Sequence, residues 1–80
     1  MSRPEKLRKV VSEALLESEL PRTLVAKDAG LGRATLEAWI SGLRNPSPES
    51  LAQVADGLEQ RANRLQRLAA RIRKALTESG

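Results

Sequence analysis

Between Arg22 and Ser47 the chain reads RTLVAKDAGLGRATLEAWISGLRNPS, and the spacing of small and apolar residues in this run leaves little freedom in how it can fold. Val25 and Ala26 share one inward face, Ala29 follows a turn later, Gly30 and Leu31 make a corner, and Leu36 and Trp39 point back toward the preceding helix. A side chain larger than Ala26 would wedge two crossing helices apart. Gly30 stands where the chain must leave a helix through a left-handed backbone conformation, which glycine adopts without penalty. The spacing predicts two short helices that cross at a tight turn, with the second pushed outward.

The rest of the chain reads as helix too. Ser2 and Glu5 form a capping box with Pro4 early in the helix, and Leu7, Val10, Val11, Ala14 and Leu15 recur at helical spacing to about Ser18. A second helix is expected from about Pro21 to Ala29, and a third from Arg33 to about Ser41, capped by Gly32 and stopped by Gly42. After the loop LRNPS, Ser47 caps a fourth helix with Pro48 at its first position and Glu49 in its first turn, where a negative charge meets the positive end of the helix dipole.

No proline or turn cluster follows Pro48. Apolar residues keep three-four spacing through Leu51, Ala55, Leu58, Ala62, Leu65, Ala69, Ile72 and Leu76, and a helix of some 30 residues would run about 45 Å. A small bundle can bury only its first half, through Leu51, Val54, Ala55 and Leu58. The remaining stripe, Leu58, Ala62, Leu65, Ala69, Ile72 and Leu76, alternates Leu or Ile with Ala and suits two closely packed helices, so it is expected to be a homodimer interface. The alternative is a kink near Gln60 to Asn63 that folds a fifth helix back on its own domain. Gly57 costs about 1 kcal/mol inside a helix and does not stop it.

The crossed pair with its protruding second helix is a helix-turn-helix, a geometry that reads DNA. Charge agrees: 14 Lys and Arg against 10 Asp and Glu give a net +4, which favours an acidic partner. Without cysteine or histidine the chain lacks a disulfide framework, a thiolate metal site and the commonest general base, so catalysis is not expected, no cofactor is expected, and no small-molecule ligand is evident in the sequence. No apolar run approaches the roughly 20 residues that span a bilayer, and the N-terminus lacks a signal-peptide core, so a cytoplasmic protein without membrane contact is expected. At 80 residues the core is thin, burying about 60% of the unfolded surface, and a partner would help it.

From Leu20 to about Leu58 the chain resembles the DNA-binding domain of the Cro and lambda-repressor family, the XRE family of bacterial and phage transcriptional regulators. The resemblance is carried by Val25-Ala26, Gly30-Leu31, Leu36 with Trp39, Ser41-Gly42, the Arg44 to Ser47 loop, and Leu51, Val54 and Leu58. It implies an all-α bundle of four or five helices that binds double-stranded operator DNA, usually as a dimer. The expected organisation is a DNA-binding domain over residues 1–58 and a C-terminal helical extension over 59–80. Three departures stand out. Pro21 and Arg22 replace the usual Ser or Thr cap and Gln, Leu15 and Ile40 occupy places where many members pair Arg with Glu, and EQRANRLQ lacks the usual Gly-containing break after Leu58.

With the third helix in the major groove, Arg33, Ala34, Thr35, Glu37 and Ala38 are the candidates for base contact. Arg33 at the helix start can bond guanine twice, Ala34 and Ala38 allow close approach to a thymine methyl, and Glu37 can either accept from cytosine or pair with Arg33. Arg44, in the loop that in the family reaches the backbone and sometimes a base, completes the base set. Arg22, Lys27, Ser41 and Asn45 are the phosphate candidates. Trp39, the only aromatic residue, is expected in the core. The basic run Arg61, Arg64, Arg67, Arg71, Arg73 and Lys74 reads first as a solubilising flank to the apolar seam, and second as extra phosphate contact or a grip on an acidic protein. The function expected is a repressor that binds a palindromic operator as a homodimer. The alternative is an interaction module, such as an antitoxin, antirepressor or adaptor, built on the same fold.

Overall fold

The computed structural model describes residues 2–79 and is all helical: α1 (Arg3–Glu17), α2 (Arg22–Ala29), α3 (Arg33–Ser41) and α4 (Pro48–Glu78). Met1 and Gly80, the ends of the two expected segments, lie outside the described residues.

Local chemistry sets the helix ends. The Glu5 amide donates to Ser2 Oγ at 3.4 Å, and the Ser50 amide to Ser47 Oγ at 3.1 Å. Among the described residues only this half of the expected capping box forms at Ser2. Gly30 (φ 71°) and Gly42 (φ 84°) close α2 and α3 in the left-handed region, and the amides that follow, Leu31 and Leu43, reach back to the Ala26 and Ala38 carbonyls, each at 2.9 Å. α1 ends without glycine. Glu19 takes the left-handed position (φ 57°), while Ser18 Oγ donates to the Leu15 carbonyl at 2.8 Å and accepts from the Leu20 amide at 3.2 Å.

Val11, Leu15, Val25, Ala26, Ala29, Leu36, Trp39 and Val54 form the core, with Leu20, Leu31, Ile40, Leu51 and Leu58 packed on its edge. Leu36 is fully enclosed and Trp39 is 2% exposed, so α3 is anchored by the two residues expected to point inward. Leu15 and Ile40 join this one apolar cluster. α1 buries a narrower face than its apolar series suggests, since Val10 and Ala14 are exposed.

α4 packs most extensively on α2 and continues unbroken for 31 residues, stretching the molecule to 56 × 22 × 20 Å. The fold-back alternative is thereby excluded. One expectation for α4 needs correction. Ala55 is exposed, and Gly57 takes the buried place, because a Cβ on Gly57 would lie 2.9 Å from the Asp28 carbonyl carbon. Backbone approaches backbone there, and the helix rotates Ala55 away. Leu58 is half-buried against the core, as expected of a bundle residue, and the exposed part of the stripe starts at Ala62.

Candidate nucleic-acid interface

α3 turns Leu36 and Trp39 inward and leaves Arg33, Ala34 and Ser41 exposed, with Thr35, Glu37 and Ala38 half-buried. Arg33, Ala34, Glu37, Ala38, Ser41 and Leu43 line a shallow open groove along this helix, and Thr35 and Arg44 line its continuation. All five helix residues expected to contact bases therefore border one surface, and Arg44 adjoins it. Leu43 is outside the expected set, yet it is 81% exposed beside them. The signal available for it is its position one residue past the left-handed Gly42, where an apolar residue normally folds back onto the helix.

Glu37 sits between two cations. Its Oε1 lies 3.4 Å from Arg22 Nε and 3.8 Å from Arg33 Nε, so the phosphate candidate at the start of α2 and the leading base candidate share one carboxylate. Pairs this exposed are worth about 0–1 kcal/mol each, little enough for a phosphate or a base edge to displace them. Arg33 keeps 65% of its side chain exposed, against 35% for Arg22.

The loop after α3 is held from a place that sequence reasoning missed. Arg8 of α1 donates through Nε to Asn45 Oδ1 at 3.0 Å, and its Nη1 lies 3.1 Å from where a Cβ on Gly42 would stand. With the amide oxygen of Asn45 so engaged, its NH₂ remains as donor, the end suited to a phosphate. Ser41 Oγ donates to the Ala38 carbonyl at 3.3 Å and must leave it to donate elsewhere. Lys27 is exposed in the last turn of α2.

Behind the site, Asp28 ties α2 to α4. Arg61 Nε donates to Asp28 Oδ2, and Arg64 Nη2 stands 4.0 Å from Oδ1. The Arg61 hydrogen bond holds the Asp28 carboxyl below its ordinary range; burial opposes this, and the charges of Arg61, Arg64 and Lys27 reinforce it. Arg61, whose side chain is 16% exposed, is thus a fastener of the fold rather than part of a solvated flank. Gln53 adds a second tie, donating Nε2 to the Ala29 carbonyl at 3.3 Å.

The helix-turn-helix family model matches residues 11–65, from the core of α1 to just beyond the Asp28 ties. The chain belongs to the Cro and lambda-repressor-like (XRE) helix-turn-helix family. No curated protein and no solved structure matches it significantly. As a member of this family it is a DNA-binding helix-turn-helix regulator, with double-stranded DNA as its partner. Among the described residues no helix is long and apolar enough to cross a membrane.

Proposed function

We propose that this XRE-family regulator reads a palindromic operator as a homodimer and represses the adjacent promoter by occupying it. The observation that carries the reading is the open outer face of α3, polar and small-residued, set on the buried pair Leu36 and Trp39. In this reading Arg33 addresses a guanine, Ala34, Thr35 and Ala38 fit close against neighbouring bases, and Arg44 extends the contact beyond the helix. Glu37 holds Arg22 and Arg33 until DNA competes for them. Arg22, Lys27, Ser41 and Asn45 serve the sugar-phosphate backbone. The copies join through the apolar stripe of α4 beyond Leu58, and their two α3 helices address half-sites about 34 Å apart or a multiple of it.

Comparing two variants on operator and unrelated duplexes tests this. Arg33→Ala is expected to lose about 1–3 kcal/mol of discrimination at one base pair per half-site. Arg22→Ala is expected to weaken all duplexes alike and to lower the slope of log K against log salt by about 0.9 for each phosphate no longer neutralised. Identical losses on every duplex would refute base readout by Arg33.

A further inference from the structure

Two helices of this chain end alike and dispose of the next residue differently. Gly30 and Gly42 both close a helix in the left-handed region, and the amides that follow, Leu31 and Leu43, reach back at 2.9 Å to the Ala26 and Ala38 carbonyls. Leu31 then folds onto the core, as an apolar residue at this position ordinarily does. Leu43 stands out at 81% exposure, the most exposed large apolar side chain among the described residues. Its backbone is nevertheless fixed. The Arg44 amide also donates to the Ala38 carbonyl at 3.2 Å, Arg8 Nε donates to Asn45 Oδ1 at 3.0 Å, and Pro46 is buried, so a pinned loop presents a free side chain.

A lone exposed leucine is ordinary on a protein surface, but Leu43 is not alone. Ala34, Ala38 and Leu43 border both the groove along α3 and its continuation, and so make up the part the two share. Arg33 and Glu37 border only the groove, and Arg44 only its continuation. The shared part offers methyl and methylene groups and no side-chain donor or acceptor. Base edges in the major groove carry one matching group, the C5 methyl of thymine. We infer that Leu43 is a specificity-determining residue, which with Ala34 and Ala38 encloses one thymine methyl in each half-site. This role rests on the DNA reading above, which puts α3 in the major groove, and it lies outside that helix. Because the backbone of Leu43 is already held, the contact orders little beyond the side chain itself.

Exchanging thymine for uracil tests this role, since it removes the methyl and leaves every hydrogen-bonding group of the base in place. The probe is the duplex that the full chain selects from a random pool, with each thymine replaced in turn by deoxyuridine. At one thymine per half-site, a single replacement is expected to weaken wild-type binding about fourfold, the loss for one methyl group withdrawn from an apolar contact. Leu43→Ala, its helix content checked by circular dichroism, is expected to bind the thymine and uracil duplexes within about twofold of each other. The absence of any sensitive thymine, or a thymine-to-uracil ratio unaltered by Leu43→Ala, overturns the role of Leu43 while base readout by Arg33 stands. A chain that selects no duplex from the pool overturns the DNA reading and this role with it.

Discussion

α4 is one helix with two environments. From Pro48 to Arg61 its apolar side is sealed against α2: Val54 is 4% exposed, Gly57 touches the Asp28 backbone, and Gln53 and Arg61 fasten the edges. From Ala62 onward the same three-four spacing continues, but the large apolar side chains it aligns are covered by no other element among the described residues. Periodicity therefore identifies an amphipathic helix without saying what covers it. The distinguishing marks lie elsewhere: a glycine where backbones touch, and a carboxylate across the gap to answer an arginine. The inner half has both, whereas beyond Arg64 the arginines have no carboxylate across from them among the described residues.

Inserting bulk in each half separates them most sharply. Gly57→Val forces a side chain into the Asp28 backbone and is expected to cost about 2–3 kcal/mol in urea unfolding, close to the upper end for overpacked sites. Ala70→Val in the outer half meets only solvent and is expected to cost no more than the helix-propensity difference, under about 0.7 kcal/mol. Equal losses would mean that the halves do not differ as described.

A gentler contrast uses pH. The folded-state pKa of Asp28 lies below its ordinary 3.8, so the stability it contributes is fully present above the unfolded value and is lost as pH falls through the folded one. Asp28→Asn is expected to flatten the acid limb of the stability curve below about pH 4. Glu78→Gln, at the exposed Lys74 pair near the far end of the arm, is expected to change stability at neutral pH by no more than about 0–1 kcal/mol. An acid limb that persists in Asp28→Asn would remove Asp28 as the fastener.

What can be read from the sequence divides along the same line. Helix ends are legible because their determinants are local: Ser47 and Pro48 open α4, and Gly30 and Gly42 close α2 and α3, each within a few residues of what they act on. The anchoring of α3 is legible because Leu36 and Trp39 lie one turn apart on a short helix with a single buried side. The groove-facing set of α3 follows as the remainder of that helix. The ties between elements are not legible. Arg8 to Asn45 spans 37 residues, Arg61 to Asp28 spans 33, and Gln53 to Ala29 spans 24, and no local pattern distinguishes these side chains from solvated neighbours. Ala55 departs from expectation for the same reason, since the roll of α4 is set by Gly57 meeting a distant backbone. Glu19 gives no warning of its left-handed conformation, because the turn after α1 is stabilised by Ser18 rather than by glycine.

The proposed regulation rests on α3, seated on Leu36 and Trp39, offering its outer face to base pairs, and on two copies doing so together. Selection of bound duplexes from a random pool by the purified full chain tests it directly. The expected result is enrichment of a two-fold symmetric site, with one position per half-site that loses its preference when the selection is repeated with Arg33→Ala. A pool that stays random in sequence, or a symmetric site unaltered by Arg33→Ala, would contradict it.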